Sequence, residues 1–182
     1  MLLIKEYDFT PDLLQHARDF FLREGRSDIV LKSPHSIAAR YLLVQEMRKL
    51  GASDFLPREG IFQHGYYFFS TSHSGELIAI IIGKQKVAID IEEIKERDSS
   101  LLSESGCDDW TDFYLQWTAK ECVVKFLDLQ SDDLPGITVL EITPSPSSNE
   151  GELAYCQILS SQGKKYAVQS YFRDNYAVSY SH

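Results

Sequence analysis

Cysteine is scarce in this chain: Cys107, Cys122 and Cys156 are the three in 182 residues, with no C-x-x-C pair and no histidine at zinc-ligand spacing. That pattern argues against a disulfide framework or a structural zinc site, and all three read as reduced, small, partly buried apolar residues. Long apolar runs are missing as well. The longest, Leu77 to Ile82, is far too short to cross a bilayer, and the start, MLLIKEYDFTPD, meets acids where a signal segment would stay apolar. The expectation is a soluble, cytoplasmic protein with no membrane partner. Basic charge is the third shortage. The net charge is -9, and it is uneven: residues 1–50 hold eight Lys or Arg against seven acids, so the deficit lies almost wholly in the remainder. No nucleic-acid partner is expected. A small polyanion is still compatible, because a local basic cluster or a bound divalent cation outweighs the global field at short range.

What the chain does have is apolar material, 43% of its residues, enough for one sizeable domain or two small halves around a shared core. MLLIKEY reads as a strand. TPDLLQHARDFFLREG then carries Thr10 as a helix N-cap, Pro11 at the first helical position and Gly25 past the end, and SPHSIAARYLLVQEMRKLG repeats the pattern with Ser33, Pro34 and Gly51. A loop near Pro57 and Gly60 follows. YYFFST and LIAIIIG are strand-like runs about the turn SHSGE, and KVAIDIE is a further strand. After a polar stretch with one short helix, DFYLQWTAKECVVKFLDL has helical spacing, with Phe113, Trp117, Val124 and Leu127 along one stripe. ITVLEI, LAYCQIL, KYAVQSYF and YAVSYS complete a strand-rich end, interrupted by the loop PSPSSNEGE. The order hints at an internal repeat, helix then strand pair, in an α+β protein.

The chemistry gathers in three places. In VAIDIEEIKERD, residues 87–98, a strand would put Asp90 and Glu92 on one face and Ile89 and Ile91 on the other. Two hard carboxylates side by side suit a magnesium ion that shares its remaining positions with phosphate and water; a half-exposed edge strand would look the same. In WTAKECVVK, Glu121 continues a helical line from Phe113 and Trp117, and Lys125 follows one turn later. That pair also reads as ordinary Glu-to-Lys surface pairing worth about 0.2–0.5 kcal/mol, and Thr118 with Glu121 as a capping box. His73, with Ser72 and Ser74, could donate to a phosphate oxygen at the end of a sheet, or stand idle in solvent.

Together, SHS, D-x-E and W-T-x-K-E-x-x-x-K in this order resemble the 4'-phosphopantetheinyl transferase superfamily, and its monomeric surfactin-synthetase-activating type more than its small trimeric holo-acyl-carrier-protein synthases. The resemblance runs from the helix at Pro34 to the last strand and is sharpest at FSTSHS, VAIDIE and FYLQWTAKECVVK. It implies two pseudo-symmetric α+β halves, each a small antiparallel sheet packed with a long helix. Residues 1–86 would form the coenzyme A side and residues 87–182 would hold the metal and catalytic groups, with the active-site cleft between them in one pseudo-dimeric domain. It also implies transfer of the phosphopantetheine arm of coenzyme A to a serine of an acyl or peptidyl carrier protein, with release of 3',5'-ADP.

By the same resemblance, Asp90, Glu92 and Glu121 bind Mg2+, with Mn2+ as a substitute. Glu121 helps take the serine proton, and Lys125 assists the departing ADP. His73, Ser72, Ser74 and Lys120 contact coenzyme A, with Lys32 and Arg40 as basic residues for its 3'-phosphate. The protein would be a monomer. Three departures stand out: Ala88 where the family has glycine, FLDLQ where glycines often follow Lys125, and REGIF, residues 58–62, in place of a Gly-Lys-Pro element of the adenine pocket. Two other readings compete: a non-catalytic relative that binds coenzyme A or a carrier protein, and a magnesium-dependent phosphohydrolase, for which no water-activating group stands out.

Overall fold

A computed structural model of the chain describes residues 1–58, 62–146 and 153–182. It is a mixed α+β structure with two antiparallel sheets, divided into compact units at Met1–Gln85 and Lys86–His182. Among the described residues no helix is long and apolar enough to cross a membrane.

The first unit opens with strand β1 (Leu2–Asp8), followed by helices α1 (Pro11–Arg23), α2 (Ser27–Val30) and α3 (Pro34–Lys49) and strands β2 (Gln63–His64), β3 (Tyr67–Ser74) and β4 (Leu77–Gly83). Local chemistry sets the helix starts as the spacing predicts. The Thr10 side chain accepts from Leu13 N at 3.1 Å, that of Ser33 accepts from Ser36 N at 3.4 Å, and each cap is followed by proline. The sheet order is β1-β4-β3-β2. Its second strand, β4, is buried at every residue, which explains why LIAIIIG has no polar alternation. Ile78, Ile80 and Ile82 alternate onto one face and join Phe20, Phe21, Ile37, Leu43 and Met47 of α1 and α3 in the core.

The turn expected at SHSGE is shorter. Ser74 pairs with Leu77, so only Gly75 and Glu76 lie outside the strands. Gly75 has φ +54°, as the first residue of a II′-type hairpin turn requires.

The second unit runs β5 (Ala88–Glu93), α4 (Ser100–Ser105), α5 (Trp110–Leu127), a 3-10 segment at Ser131–Gly136, then β6 (Thr138–Ser145), β7 (Ala154–Ser161), β8 (Lys164–Arg173) and β9 (Tyr176–Ser181). Its sheet order is β5-β9-β8-β7-β6, so the first strand pairs with the last. Tight turns drive the meander: Gln162 and Gly163 both have positive φ, at +51° and +74°, the I′ geometry whose twist suits paired strands.

Helix α5 starts two residues before the apolar pattern suggests, because Asp109 caps it by accepting from Asp112 N at 2.8 Å. Its inward face matches the expected stripe at Phe113 and Val124, which are buried, and departs from it elsewhere. Leu115, Ala119, Cys122 and Val123 are buried, whereas Trp117 is 36% exposed and Leu127 half-buried. Trp117 stacks along the helix on Phe113, with ring centroids 5.8 Å apart. The expected loop at Gly60, the middle of REGIF and the PSPSSNEGE loop from residue 147 onward lie outside the described residues.

Candidate functional site

In the second unit, β5 is an edge strand bonded to β9, and α5 packs across both. Alternation along β5 gives Asp90 and Glu92 a common face. Asp90 is only 4% exposed. The Lys125 ammonium reaches it from α5, donating to Asp90 Oδ1 at 2.6 Å and to the Ile89 carbonyl at 3.2 Å. This lysine therefore bridges helix to strand, which is more than the surface decoration its spacing from Glu121 allows.

Glu121 stands half-buried one turn before Lys125. Burial raises its proton affinity above the ordinary carboxylate value. The negative charge of Asp90 raises it further, the Lys125 charge opposes, and Glu92 adds a smaller push upward. Four residues from two distant motifs thus share one electrostatic neighbourhood, with three acids against one lysine. The acids do not stand in a ready-made coordination cage: among the described residues no three His, Cys, Asp or Glu side chains are placed to hold a metal ion. Lys125 occupies Asp90 Oδ1 in this arrangement.

Thr118 is not a cap. It lies inside α5, fully buried, and its hydroxyl donates back to the Tyr114 carbonyl at 2.9 Å. The capping-box reading fails because the helix is capped at Asp109, nine residues earlier in the chain. Lys120 is half-buried on the same helix, and its charge is felt at Cys107. Cys122 is buried against the Ala88 carbonyl, Sγ to O 3.4 Å, and burial pushes its thiol far above the usual range, so it is inert packing.

In the first unit, SHS ends strand β3 where a turn was expected. Strand alternation sends Ser72 and Ser74 to one face and His73 to the other, and His73 is exposed while Ser72 is 8% exposed. The three side chains therefore do not act as one group of donors. His73 instead stacks on His35, at the start of α3, with centroids 5.3 Å apart, and His35 stacks on Phe9 at 4.0 Å. His35 was not anticipated; its signal in the sequence is a place just after the Ser33-Pro34 helix start. Arg40 folds back on its own helix, donating to the Ser36 carbonyl at 3.2 Å and to the Ser36 hydroxyl. Lys32 is exposed just before α3.

Also unanticipated is a line of buried polar residues beneath α5: Gln157 on β7, Ser170 on β8 and Ser179 on β9. Their signal is faint, since serine at inward positions of KYAVQSYF and YAVSYS breaks an otherwise apolar alternation. No family model and no curated protein matches the chain.

Proposed function

We propose that the chain transfers the 4'-phosphopantetheine arm of coenzyme A to a serine of an acyl or peptidyl carrier protein. The observation that carries this reading is the state of Glu121: a half-buried carboxylate, raised by burial and by Asp90, one turn from a lysine that bridges to the D-x-E strand. A raised carboxylate is a better proton acceptor near neutral pH than an ordinary one. In the proposed step the carrier serine Oγ forms a bond to the phosphorus that bears pantetheine. The bond from that phosphorus to the bridging pyrophosphate oxygen breaks, and 3',5'-ADP leaves with its electron pair. The serine proton passes to Glu121, directly or through water. Lys125 offers positive charge to the phosphate oxygens as negative charge collects on the leaving group.

The donor chemistry suits a hard cation. Asp90, Glu92 and Glu121 offer carboxylate oxygens, and a divalent ion would relieve the repulsion that adds to the effect of burial on Glu121. Magnesium, when bound, neutralises pyrophosphate oxygens and polarises the attacked phosphorus. In this reading His73, Lys32, Arg40 and Lys120 contact coenzyme A, and His35 joins His73 through their ring stack, while Ser72 and Ser74, on the opposite face of β3, do not share that contact. The reading includes two pseudo-symmetric halves in a monomeric, cytoplasmic protein. What supports the symmetry is the order inside each unit: an opening strand, helices, then a meander whose last strand pairs antiparallel with the first.

A second reading, a non-catalytic binder of coenzyme A or of a carrier protein, is favoured by one observation. Lys125 holds Asp90, and no three-ligand group stands ready among the described residues. One experiment separates the two: incubation with coenzyme A, Mg2+ and a panel of apo carrier proteins, read by intact mass. Phosphopantetheine added to a carrier, and lost in Glu121→Gln, is the expected result. Coenzyme A binding with no addition to any carrier leaves the binder, and phosphate release without a carrier indicates hydrolysis.

A further inference from the structure

Helix α5 carries Glu121 and Lys125, so its rotation about its own axis decides whether they face the D-x-E strand. Apolar packing sets that rotation weakly. Phe113, Tyr114, Leu115, Ala119, Cys122, Val123 and Val124 are all buried, and they spread around most of the helix circumference. Contacts with fixed geometry are available beneath it. Gln157 Nε2 donates to the Leu115 carbonyl at 2.9 Å and to Ser170 Oγ at 2.8 Å. Ser170 Oγ and Ser179 Oγ are 2.7 Å apart, and Ser179 Oγ and Thr118 Oγ1 are 2.7 Å apart.

The proton directions follow from the two ends. Each hydroxyl has one proton, and that of Thr118 goes to the Tyr114 carbonyl at 2.9 Å. Ser179 must then donate to Thr118, and Ser170 to Ser179. The result is a one-way chain, Gln157 to Ser170 to Ser179 to Thr118 to Tyr114, that leaves α5 at one carbonyl and returns to it at the next. Such a chain is self-reinforcing in a buried site, and every hydroxyl in it is used.

The chain is also in register with the acids. Ser179 is the direct cross-strand partner of both Asp90 and Ser170. Thr118 and Lys125 are seven residues apart, about two helical turns, and so lie nearly in line along α5. A helix keyed at Thr118 over Ser179 brings Lys125 over the neighbouring strand, where it meets Asp90. We propose that Thr118, Ser179, Ser170 and Gln157 are positioning residues that fix the rotation of α5, acting on the acidic site through Lys125 and Glu121 and touching no ligand themselves. The inference deepens the transferase reading and rests on it only where metal binding is measured.

The test compares Thr118→Val and Ser179→Ala, which break the chain at its end and in its middle, with Thr118→Ser, which keeps the hydroxyl. Two quantities are read on the whole protein. One is the Lys125 ammonium signal in proton-nitrogen NMR without ligand, held sharp by Asp90 and the Ile89 carbonyl; the other is Mn2+ affinity by electron paramagnetic resonance. Thr118→Val and Ser179→Ala should each lose the ammonium signal and weaken Mn2+ binding about ten-fold, the usual scale for residues that orient metal ligands. Thr118→Ser should retain both. If either breaking variant folds with a lowered melting temperature and an unchanged ammonium signal, the chain is only structural and the inference is overturned. Failure of the unaltered protein to bind Mn2+ would sink the metal reading, while the ammonium signal would still decide the positioning role.

Discussion

Among the described residues, each unit buries one carboxylate where its opening strand meets its long helix. In the first unit the helix supplies the acid, Glu46, and β1 supplies Tyr7, whose hydroxyl donates to Glu46 Oε1 at 2.7 Å. In the second the strand supplies Asp90 and the helix supplies Lys125. The two acids are equally buried, at 4% exposure, yet their surroundings differ in sign. Burial pushes Glu46 up, but bonds from Lys49 and Tyr7 and the charges of Lys49 and Lys5 outweigh it and hold the group below the ordinary carboxylate range. Around Asp90 the additional groups are acids, and Glu121 among them is held above that range, first by its own burial and then by the charge of Asp90. One buried acid is closed and compensated, which is what a structural ion needs. The other sits in excess negative charge, an arrangement that folding alone does not favour and that a cation-handling site would use.

The largest expected effect breaks this contrast at its cationic side. Lys125→Met keeps the apolar stem but leaves Asp90 buried beside two further acids, and should destabilise by about 3 kcal/mol, the lower end for breaking a buried pair because Lys125 is 31% exposed. Lys49→Met removes a lysine that is 67% exposed and leaves Tyr7 on Glu46, so it should lose no more than about 1 kcal/mol. Urea unfolding of both variants checks this. Equal losses would mean that the two acids are held alike. Added Mg2+ should shrink the Lys125→Met deficit and leave that of Lys49→Met unchanged.

The same contrast shows what was legible in the sequence. Thr10-Pro11 and Ser33-Pro34 announce helix starts because capping is decided within three residues. D-x-E on one strand face is equally local. The four-residue helix at Ser27–Val30 and the 3-10 segment at Ser131–Gly136 are too short to show a period. The SHS turn was misplaced because polar residues at a strand end look like loop, and the end is set by the partner Leu77. Least legible are the partners Asp90–Lys125 and Glu46–Tyr7 and the chain from Gln157 to Thr118. Each joins residues far apart in sequence, through register and helix rotation that no local pattern encodes.

A smaller effect sharpens the compensated side. Tyr7→Phe removes a hydrogen bond to a buried charge and should lose about 2 kcal/mol, read by thermal unfolding at neutral pH. The loss should also depend on pH. Because Glu46 is lowered in the folded protein, its contribution is complete above the unfolded carboxyl value of about 4.3 and fades as pH falls through the lower folded value. Tyr7→Phe and the unaltered protein should therefore converge in acid. A constant gap would show that Tyr7 contributes by packing alone.

The smallest expected change has the opposite sign. Glu121 is raised in the folded protein, so ionising it at neutral pH opposes folding, and the opposition disappears as pH falls through the folded value toward about 4.3. Glu121→Gln removes the charge and keeps the shape. It should melt slightly higher than the unaltered protein at pH 7, and the advantage should vanish in acid. Glu46→Gln, at the compensated acid, should melt lower at pH 7 because its lysine and tyrosine partners lose their anion. Opposite signs from one chemical change, at a buried and at a half-buried position, would separate an acid kept for stability from one kept at the expense of it, as functional groups commonly are. If both variants shift the melting temperature the same way, Glu121 is an ordinary structural residue and its role as proton acceptor loses its physical support.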